Sequence, residues 1–241
     1  MAPTDLAGPA PTDSSPAPVS AAPVPAAPLP AAERAYRAVK QAILSGESPG
    51  GRLLSEAEVG TQLGLSRTPV HEAFLRLQAE GLLDLLPRRG AVVVPVAPGE
   101  ARDVLEVRRA LETAAVRRLA EAAAAEREAL DARLAALLAD QRSLAAEQDV
   151  AAFAQADAAF HVALLEASGN TVALRLYATL ADRQQRMTIG SVGRRPEHLA
   201  TLVDEHRTLA ALVLAGDVDG FDDAVTTHLG RTHAVLLGGA L

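Results

Sequence analysis

The chain has no cysteine and no tryptophan among its 241 residues, and aromatic residues make up only 2% of it. The absence of cysteine excludes disulfides, thiolate zinc fingers, iron–sulfur clusters and cysteine catalysis. A core with so few aromatic residues has to be built from Ala, Leu and Val. This composition favours closely packed helices over a β-sandwich or a β-barrel.

We also expect no membrane-spanning segment, since we identify no apolar run near the ~18–20 residues that cross a bilayer. The opening Met-Ala-Pro-Thr-Asp lacks the basic stretch of a secretory signal. The sequence therefore predicts a soluble cytoplasmic protein that has no membrane partner.

Negative charge is in excess, with a net charge of −7, but it is distributed unevenly. Residues 32–97 carry eight basic and seven acidic residues, whereas residues 98–241 carry fifteen basic and twenty-one acidic ones. A phosphate backbone is attracted by the charges of the surface that contacts it and not by the net charge of the protein. An acidic protein can therefore still contain a DNA-binding segment. This charge distribution is compatible with a DNA-binding domain joined to a second, acidic domain.

Residues 1–31 contain nine prolines and are otherwise mostly Ala, Ser and Thr. Proline blocks the hydrogen bonds of helices and sheets, and such a segment buries too little apolar surface to offset its ordering entropy. We predict a disordered tail with local polyproline character.

The sequence pattern changes three times within residues 32–97, between helix-like and strand-like spacing of apolar residues. Apolar spacing predicts a first helix up to Gly46, and Ser55 with Glu58 forms a capping box at the start of a second helix. Ser66 is predicted to cap a third helix, whose inward-facing residues are Val70, Phe74, Leu75 and Leu77. Two β-prone runs follow, Leu82–Leu86 and Ala91–Val96, joined by a hairpin at Pro87–Gly90. This order predicts a winged helix-turn-helix.

Residues 98–241 have helical periodicity throughout and no strand-like alternation. The segment predicts an all-helical bundle of about six helices. Their expected ranges are 99–123, 126–146, 150–167, 171–189, 196–215 and 218–237. The predicted fold class is therefore mainly α, with a small β-hairpin wing in the N-terminal domain.

Two sets of motifs resemble a known family of bacterial repressors, the GntR family, in its FadR branch. The N-terminal set consists of Gly51-Arg52-Leu53-Leu54-Ser55-Glu56, Leu63-Gly64-Leu65-Ser66-Arg67-Thr68-Pro69-Val70, Glu72-Ala73, Glu80-Gly81-Leu82 and Arg89-Gly90-Ala91-x-Val93. The later set resembles the FCD effector-binding domain, through Glu106-Val107-Arg108, Asp157-x-x-Phe160-His161, Ser168-Gly169-Asn170, Glu205-His206 and His228. The resemblance implies a ligand-responsive DNA-binding regulator, a repressor, rather than an enzyme.

The third helix carries the candidate DNA contacts. Its N-terminus presents hydroxyls, a guanidinium and free backbone N–H groups, which suit phosphate oxygens and base edges in the major groove. Arg67 is the candidate for a guanine contact, and Ser66 and Thr68 for phosphate or thymine. Arg88 and Arg89 at the hairpin tip are expected to enter the minor groove or hold the backbone. One such helix reads few base pairs, so we expect a homodimer on a palindromic double-stranded operator.

Two positions depart from the family pattern. His71 stands where the family usually has arginine, and Ala57 stands where many members have a basic residue. Each change removes a charge-assisted contact worth ~1–3 kcal/mol. A neutral histidine still hydrogen-bonds a base or phosphate, and does so more strongly when protonated. His71 therefore remains a candidate DNA contact.

A second cluster is expected inside the helical bundle. Asp157 and His161 lie four residues apart on one helix face, and His206 and His228 lie on the apolar stripes of two other helices. Four buried titratable groups without a partner would be costly, and a divalent cation satisfies them together. The resemblance to metal-binding FCD proteins agrees at all four positions. We expect zinc, with nickel and manganese as alternatives that also suit this ligand set.

Arg108 lies on the apolar stripe of the first bundle helix, where a guanidinium needs an anionic partner. We interpret it as an effector-binding residue for a small organic acid, with an internal salt bridge as the alternative. An acyl-type effector also remains open. Arg109 is expected to pair with Glu112 on the outer side of the helix. Asn170 is expected to cap the next helix, and His198 and His233 are expected to have surface or packing roles.

Two other functions stay open at this point. A His₃Asp site also suits a metal-dependent hydrolase, but hydrolysis would require a general base near the metal. We find no acidic residue except Asp157 on the inward stripes, so no catalytic residue is assigned. A regulator with a purely structural metal is the other alternative.

Overall fold

The computed structural model describes residues 29–193, 196–234 and 236–237. Most of the proline-rich segment predicted to be a tail, residues 1–28, lies outside the described residues. The N-terminal part is built from three helices and three strands: α1 Ala31–Leu44, β1 Leu53–Leu54, α2 Glu56–Leu63, α3 Arg67–Ala79, β2 Leu83–Leu86 and β3 Gly90–Val93. This order confirms the predicted winged helix-turn-helix.

The three strands form one antiparallel sheet in the order β1-β3-β2. Leu53 pairs with Val92, and Leu86 pairs with Gly90 at the hairpin. Gly90 has a φ of 101°, and a Cβ there would collide with the Leu54 carbonyl oxygen. Only glycine therefore lets the wing return this close to β1.

Local signals explain the helix ends only in part. The Ser55 hydroxyl accepts a hydrogen bond from the Glu58 N–H at 3.4 Å, and Gly64 ends α2 with a φ of 65°. Ser66 occupies the N-cap position of α3 as predicted, but its side chain makes no capping hydrogen bond in the described structure. Instead, the Ser66 side chain is exposed at the start of the helix.

The N-terminal core lies between α1, α3 and the sheet. Val70, Phe74 and Leu77 on α3 are fully buried, with Leu83 packing from the sheet. Leu75 was expected to face this core, but its side chain is 46% exposed. The helical rotation that buries Phe74 and Leu77 turns Leu75 outward.

The C-terminal part is entirely helical within the described residues. Its helices are α4 Pro98–Ala120, α5 Ala124–Glu147, α6 Val150–Ala167, α7 Thr171–Ala178, α8 Ala181–Val192, the short 3₁₀ helix Pro196–His198, α9 Leu199–Ala215 and α10 Val218–Thr232. The segment 171–189, expected as one helix, is two. The Thr179 hydroxyl donates to the Leu176 carbonyl, and the Leu180 N–H donates to the Tyr177 carbonyl. These hydrogen bonds end α7 although no glycine or proline marks its end in the sequence.

Helix α6 lies at the centre of the bundle between α4, α5 and α8. Its 18 residues are long and apolar enough, by length and composition, to cross a membrane, so the expectation that no segment approaches that length is wrong. Phe153, Phe160 and Leu164 on this helix are fully buried against the neighbouring helices. Their burial in the bundle accounts for the apolarity of α6.

Candidate metal centre and DNA-binding surface

Three imidazoles and one carboxylate meet inside the bundle. Asp157 and His161 come from α6, His206 from α9 and His228 from α10, and all four are buried. Their ligand atoms lie within 4.8 Å of one another. The His206 Nε2 atom lies 3.2 Å from His161 Nε2, 3.3 Å from His228 Nε2 and 3.3 Å from Asp157 Oδ1. The structure thus brings together all four residues expected from the sequence.

The opposite nitrogen of each ring is held by an acceptor. His161 Nδ1 lies 2.7 Å from Glu112 Oε2, and His228 Nδ1 lies 2.9 Å from Glu205 Oε2. His206 Nδ1 lies 2.7 Å from the side-chain oxygen of Gln141. The Gln141 amide nitrogen donates to the Ala156 carbonyl at 3.0 Å, which orients its oxygen towards His206.

These contacts determine where the imidazole protons lie. Ionised carboxylates and amide oxygens only accept, so each Nδ1 carries the proton of a neutral ring. Each Nε2 then presents a lone pair, and three lone pairs face one another beside Asp157. Asp157 Oδ1 finds no hydrogen-bond donor among the described residues. Four acceptor atoms without a shared proton repel one another, and a cation between them removes this repulsion.

The electrostatics of the cluster agree with this protonation pattern. Burial lowers the pKa of His206 to about 3, and burial also lowers the pKa of His161. Burial alone would raise the pKa of Asp157, but the positive charge of Arg108 helps to hold this pKa well below its usual range. Neutral imidazoles and an ionised carboxylate are the forms that bind a divalent cation.

The spacing of the nitrogens also fits one ion. Two nitrogens at typical Zn–N distances of ~2.0–2.1 Å and 3.2–3.3 Å apart would subtend roughly 105° at the metal. This angle lies between tetrahedral and octahedral values. These two pairs of nitrogens are therefore spaced as two ligands of one metal ion would be.

Glu112 links the cluster to Arg108. Its Oε1 accepts from Arg108 Nε at 2.7 Å and from the Tyr177 hydroxyl at 3.0 Å, while Oε2 contacts His161. Burial raises the pKa of Glu112, but the hydrogen bond from His161 Nδ1 and the positive charge of Arg108 outweigh burial and lower this pKa to about 2. The expectation that no further acidic residue faces the histidines is wrong, since Glu112 and Glu205 both do.

Two features of the sequence could have indicated these acceptors. Glu112 lies four residues after Arg108 and therefore shares its face of α4, and Glu205 directly precedes His206 in the chain. The predicted pair between Arg109 and Glu112 does not form, because Glu112 is turned inward and fully buried. Arg109 instead pairs with Asp222 on α10, and its Nε donates at 2.8 Å.

Arg108 forms the internal salt bridge that was the alternative to effector binding, but one of its donors is unused. Its Nη2 is buried and has no hydrogen-bond partner within the described ranges. Besides Asp157, three more buried side chains have polar atoms without partners in the part of the chain that is described: Gln184 Nε2, Ser191 Oγ and both ring nitrogens of His233. His233 is thus packed in the interior, whereas His198 is exposed. Asn170 accepts from the Ala173 N–H at 3.1 Å and caps α7 as expected.

The six residues predicted to contact DNA, namely Ser66, Arg67, Thr68, His71, Arg88 and Arg89, are all exposed. The start of α3 and the wing border one open groove of about 510 Å³. Arg67, Thr68, His71 and Arg88 line this groove, while Ser66 and Arg89 lie outside its lining. The groove therefore joins the two elements expected to enter DNA.

A residue not selected from the sequence organises this surface. Glu56, at the start of α2, is 8% exposed, and its Oε2 accepts from Arg67 Nε at 2.6 Å. Its Oε1 lies 2.7 Å from His71 Nδ1. Burial raises the pKa of Glu56, but Arg67 and His71 outweigh it and lower the pKa overall. One buried carboxylate thus holds both side chains.

Helix α8 connects the bundle to the winged helix. Asp182 on α8 contacts Lys40 of α1 at 2.6 Å, and Lys40 also contacts Glu80 at 2.9 Å. Arg183 pairs with Glu100 at 2.8 Å, and Arg186 donates to the Val94 carbonyl. The same helix packs against α4, α6 and α10, which carry Arg108 and three of the four candidate metal ligands.

A winged helix-turn-helix followed by a helical bundle with a buried His₃Asp cluster defines a DNA-binding transcriptional regulator with a sensor-type domain. The model of bacterial regulatory proteins of the gntR family matches residues 31–93, and the FCD domain model matches residues 103–231. The chain belongs to the GntR family and carries an FCD domain, and it is a transcriptional regulator rather than an enzyme.

Individual relatives agree with this assignment. An uncharacterized HTH-type transcriptional regulator from the TAR-I ttuE-ttuC' intergenic region of Agrobacterium vitis is 39% identical over 139 residues, 54% of this chain and 77% of that protein. The HTH-type transcriptional repressor RspR of Escherichia coli is 30% identical over 201 residues, 82% of this chain and 85% of RspR. The structure of Escherichia coli McbR/YncC superposes with a TM-score of 0.68 at 21% identity, covering 87% of this chain and 98% of McbR/YncC. This last likeness concerns the fold alone.

Proposed function

We propose that this chain is a cytoplasmic repressor that binds a palindromic operator as a homodimer and releases it when a small carboxylate binds beside a metal ion. In this proposal residues 32–97 are the DNA-binding domain and residues 98–241 are the metal and effector domain. The observation that carries the proposal is the convergence of three imidazole lone pairs and an unpaired carboxylate oxygen. The repressor name of RspR supports the direction of regulation.

The metal would be held by Asp157, His161, His206 and His228, and zinc is the ion we expect. When bound, the ion supplies a Lewis-acidic centre that attracts an anionic oxygen. Glu112, Gln141 and Glu205 keep the three rings in the tautomer that ligation requires. With four ligands from the protein, coordination positions remain for a ligand from solution.

Arg108 supports a carboxylate as that ligand. Its Nε is used by Glu112, while Nη2 is buried with no partner in the described residues. An unused guanidinium donor in a dry interior favours a charged acceptor. A hydroxy acid, keto acid or sugar acid would offer oxygens to both the metal and Nη2.

Operator binding is assigned to the groove between α3 and the wing. Arg67 would contact guanine, Ser66 and Thr68 phosphate or thymine, and Arg88 and Arg89 the backbone or minor groove. Arg67→Ala should cost about 1–3 kcal/mol of operator binding and relax specificity at one base position. Footprinting of the purified protein on duplexes selected from a random pool tests this assignment, and protection without any preferred sequence would contradict it.

The effector assignment is tested by calorimetry with a panel of organic acids on metal-loaded and metal-stripped protein. Arg108→Lys keeps a positive charge next to Glu112 but removes the Nη2 donor, so it should weaken binding of the acid while the protein stays folded. Arg109→Lys is the matched control, since Arg109 lies on the surface and pairs with Asp222. Equal acid binding with and without metal, and in both variants, would contradict the proposed site. A purely structural metal would give loss of stability on chelation with no acid binding at all.

A further inference from the structure

The recognition helix carries a histidine whose hydrogen-bonding character is set by a buried carboxylate. His71 lies one helical turn after Arg67 on α3, and both contact the two oxygens of Glu56. The His71 side chain is 51% exposed, whereas the Glu56 side chain is only 9% exposed. No second hydrogen bond to His71 occurs among residues 29–193, 196–234 and 236–237. Nδ1 is thus anchored inward, and the ring borders the groove between α3 and the wing.

The anchor determines what the other nitrogen can do. An ionised carboxylate only accepts hydrogen bonds, so Nδ1 of His71 donates to Glu56 in either charge state. Nε2 is then an acceptor when the ring is neutral and a donor when the ring is protonated. In the major groove guanine presents two acceptors, and phosphate oxygens are acceptors as well. A neutral His71 therefore cannot donate to guanine or phosphate, and a protonated His71 can.

The charges around His71 also change when DNA arrives. The groups that face it are Glu56 from α2, Arg67 from its own helix and Arg88 from the wing. The ring therefore lies near one negative and two positive charges. DNA adds negative phosphates and gives the two arginines new partners. Without the proton on His71, the Glu56–Arg67 pair has no net charge to offer a phosphate backbone.

We propose that His71 is a proton-dependent specificity residue: Glu56 fixes its tautomer, and operator binding takes up one proton on His71 in each subunit. The inference rests on the proposed placement of α3 in the major groove. It makes Glu56 a positioning residue, which holds Arg67 and His71 in fixed relative orientation. At low pH both side chains are donors and favour guanine or phosphate, whereas at high pH His71 favours the amino groups of adenine or cytosine.

The experiment measures operator affinity against pH with a duplex selected by the wild-type protein from a random pool. Between about pH 8 and about pH 6, the wild-type affinity should rise, with a limiting slope of about tenfold per pH unit for each half-site. His71→Gln should remove that slope, and His71→Arg should give tight binding that does not depend on pH. His198→Gln is the matched control, because His198 is exposed outside this surface, and it should keep the wild-type slope.

A second measurement distinguishes base recognition by His71 from a purely structural role of this residue. Selection from the random pool at the two pH values should give different preferred bases at one position per half-site for the wild type, and the same base for His71→Gln. Glu56→Gln should flatten the pH slope and weaken binding, because its amide no longer imposes donation by Nδ1. If His71→Gln keeps the wild-type slope, or if wild-type affinity does not rise as pH falls, the inference is overturned. Absence of any sequence-specific binding at both pH values would instead overturn the proposed operator function and the inference with it.

Discussion

The Nε2 atoms of His206 and His228 lie 3.3 Å apart, and the Nδ1 atom of each ring is held by a separate acceptor from another part of the bundle. Two neutral imidazoles in this arrangement point lone pairs at each other. The contact is unfavourable unless a cation lies between them. This relationship supports the proposed metal ion at the centre of the buried polar network.

The first prediction is that the protein binds one divalent metal per subunit and is stabilised by it. A metal that binds the folded chain at a concentration 100 times its Kd stabilises by about 2.7 kcal/mol, so chelation should lower Tm. Elemental analysis and thermal melting before and after chelation measure both effects. His206→Ala combined with His228→Ala should abolish the metal, whereas His198→Ala should leave it in place. Unchanged metal content in the double variant would contradict the site.

The second prediction concerns Glu112, which holds His161 and neutralises Arg108. Glu112→Gln should weaken metal affinity about 10–100-fold, because partners that orient a ligating histidine have effects of this size. It should also destabilise the protein by about 3–5 kcal/mol, since Arg108 becomes a buried charge without a counter-ion. Metal titration and denaturant unfolding measure the two losses. Glu106→Gln, on the exposed side of α4, should change neither quantity.

The convergence of the four side chains proposed as metal ligands could be predicted from the sequence, because each of them lies on an apolar helical stripe. Asp157 and His161 are linked by their spacing, and His206 and His228 lie among buried aliphatic residues of α9 and α10. Their acceptors were harder to find. Glu112 and Gln141 come from two other helices, α4 and α5, and their inward orientation depends on how those helices pack rather than on any local pattern.

The winged helix was equally predictable because its turns depend on glycine. Gly64 and Gly90 both adopt a positive φ, which few other residues tolerate. The break between α7 and α8 was missed since Thr179 and Leu180 are ordinary helical residues. Tyr177 is drawn inward to donate to Glu112, a contact 65 positions away in sequence that no local signal encodes.

The third prediction is that the metal-free protein loses stability in mild acid. His206 has a folded pKa of about 3, below the ~6.5 of an unfolded histidine, so the unfolded chain binds more protons between these values. Stability is therefore highest above about pH 6.5 and falls as pH decreases towards 3. His233, whose burial lowers its pKa to about 3, adds to the same trend. Urea unfolding of chelated protein at several pH values measures it, and a stability that rises on acidification over this range would contradict the prediction.

The last prediction concerns communication between the two parts of the molecule through α8. Its buried face carries Gln184 and Ser191, whose Nε2 and Oγ atoms lack partners within the described structure. Asp182 on the same helix contacts Lys40 of α1. A ligand that binds to the buried face of α8 would move this helix. The contact between Asp182 and Lys40 would transmit the movement to α1, which packs against the recognition helix α3. Asp182→Asn should therefore reduce the factor by which the effector weakens operator binding.

The coupling is reciprocal, so the operator should also weaken effector binding less in the Asp182→Asn protein than in the wild type. Operator titrations with and without saturating acid, and acid titrations with and without operator, measure the two sides of this cycle. Glu80→Gln is the matched control, because Glu80 binds Lys40 from within the winged helix and does not cross to α8. If both variants keep the wild-type coupling factor, α8 does not transmit the signal through Lys40. If Glu80→Gln alone reduces coupling, the orientation of Lys40 matters and its contact with Asp182 does not.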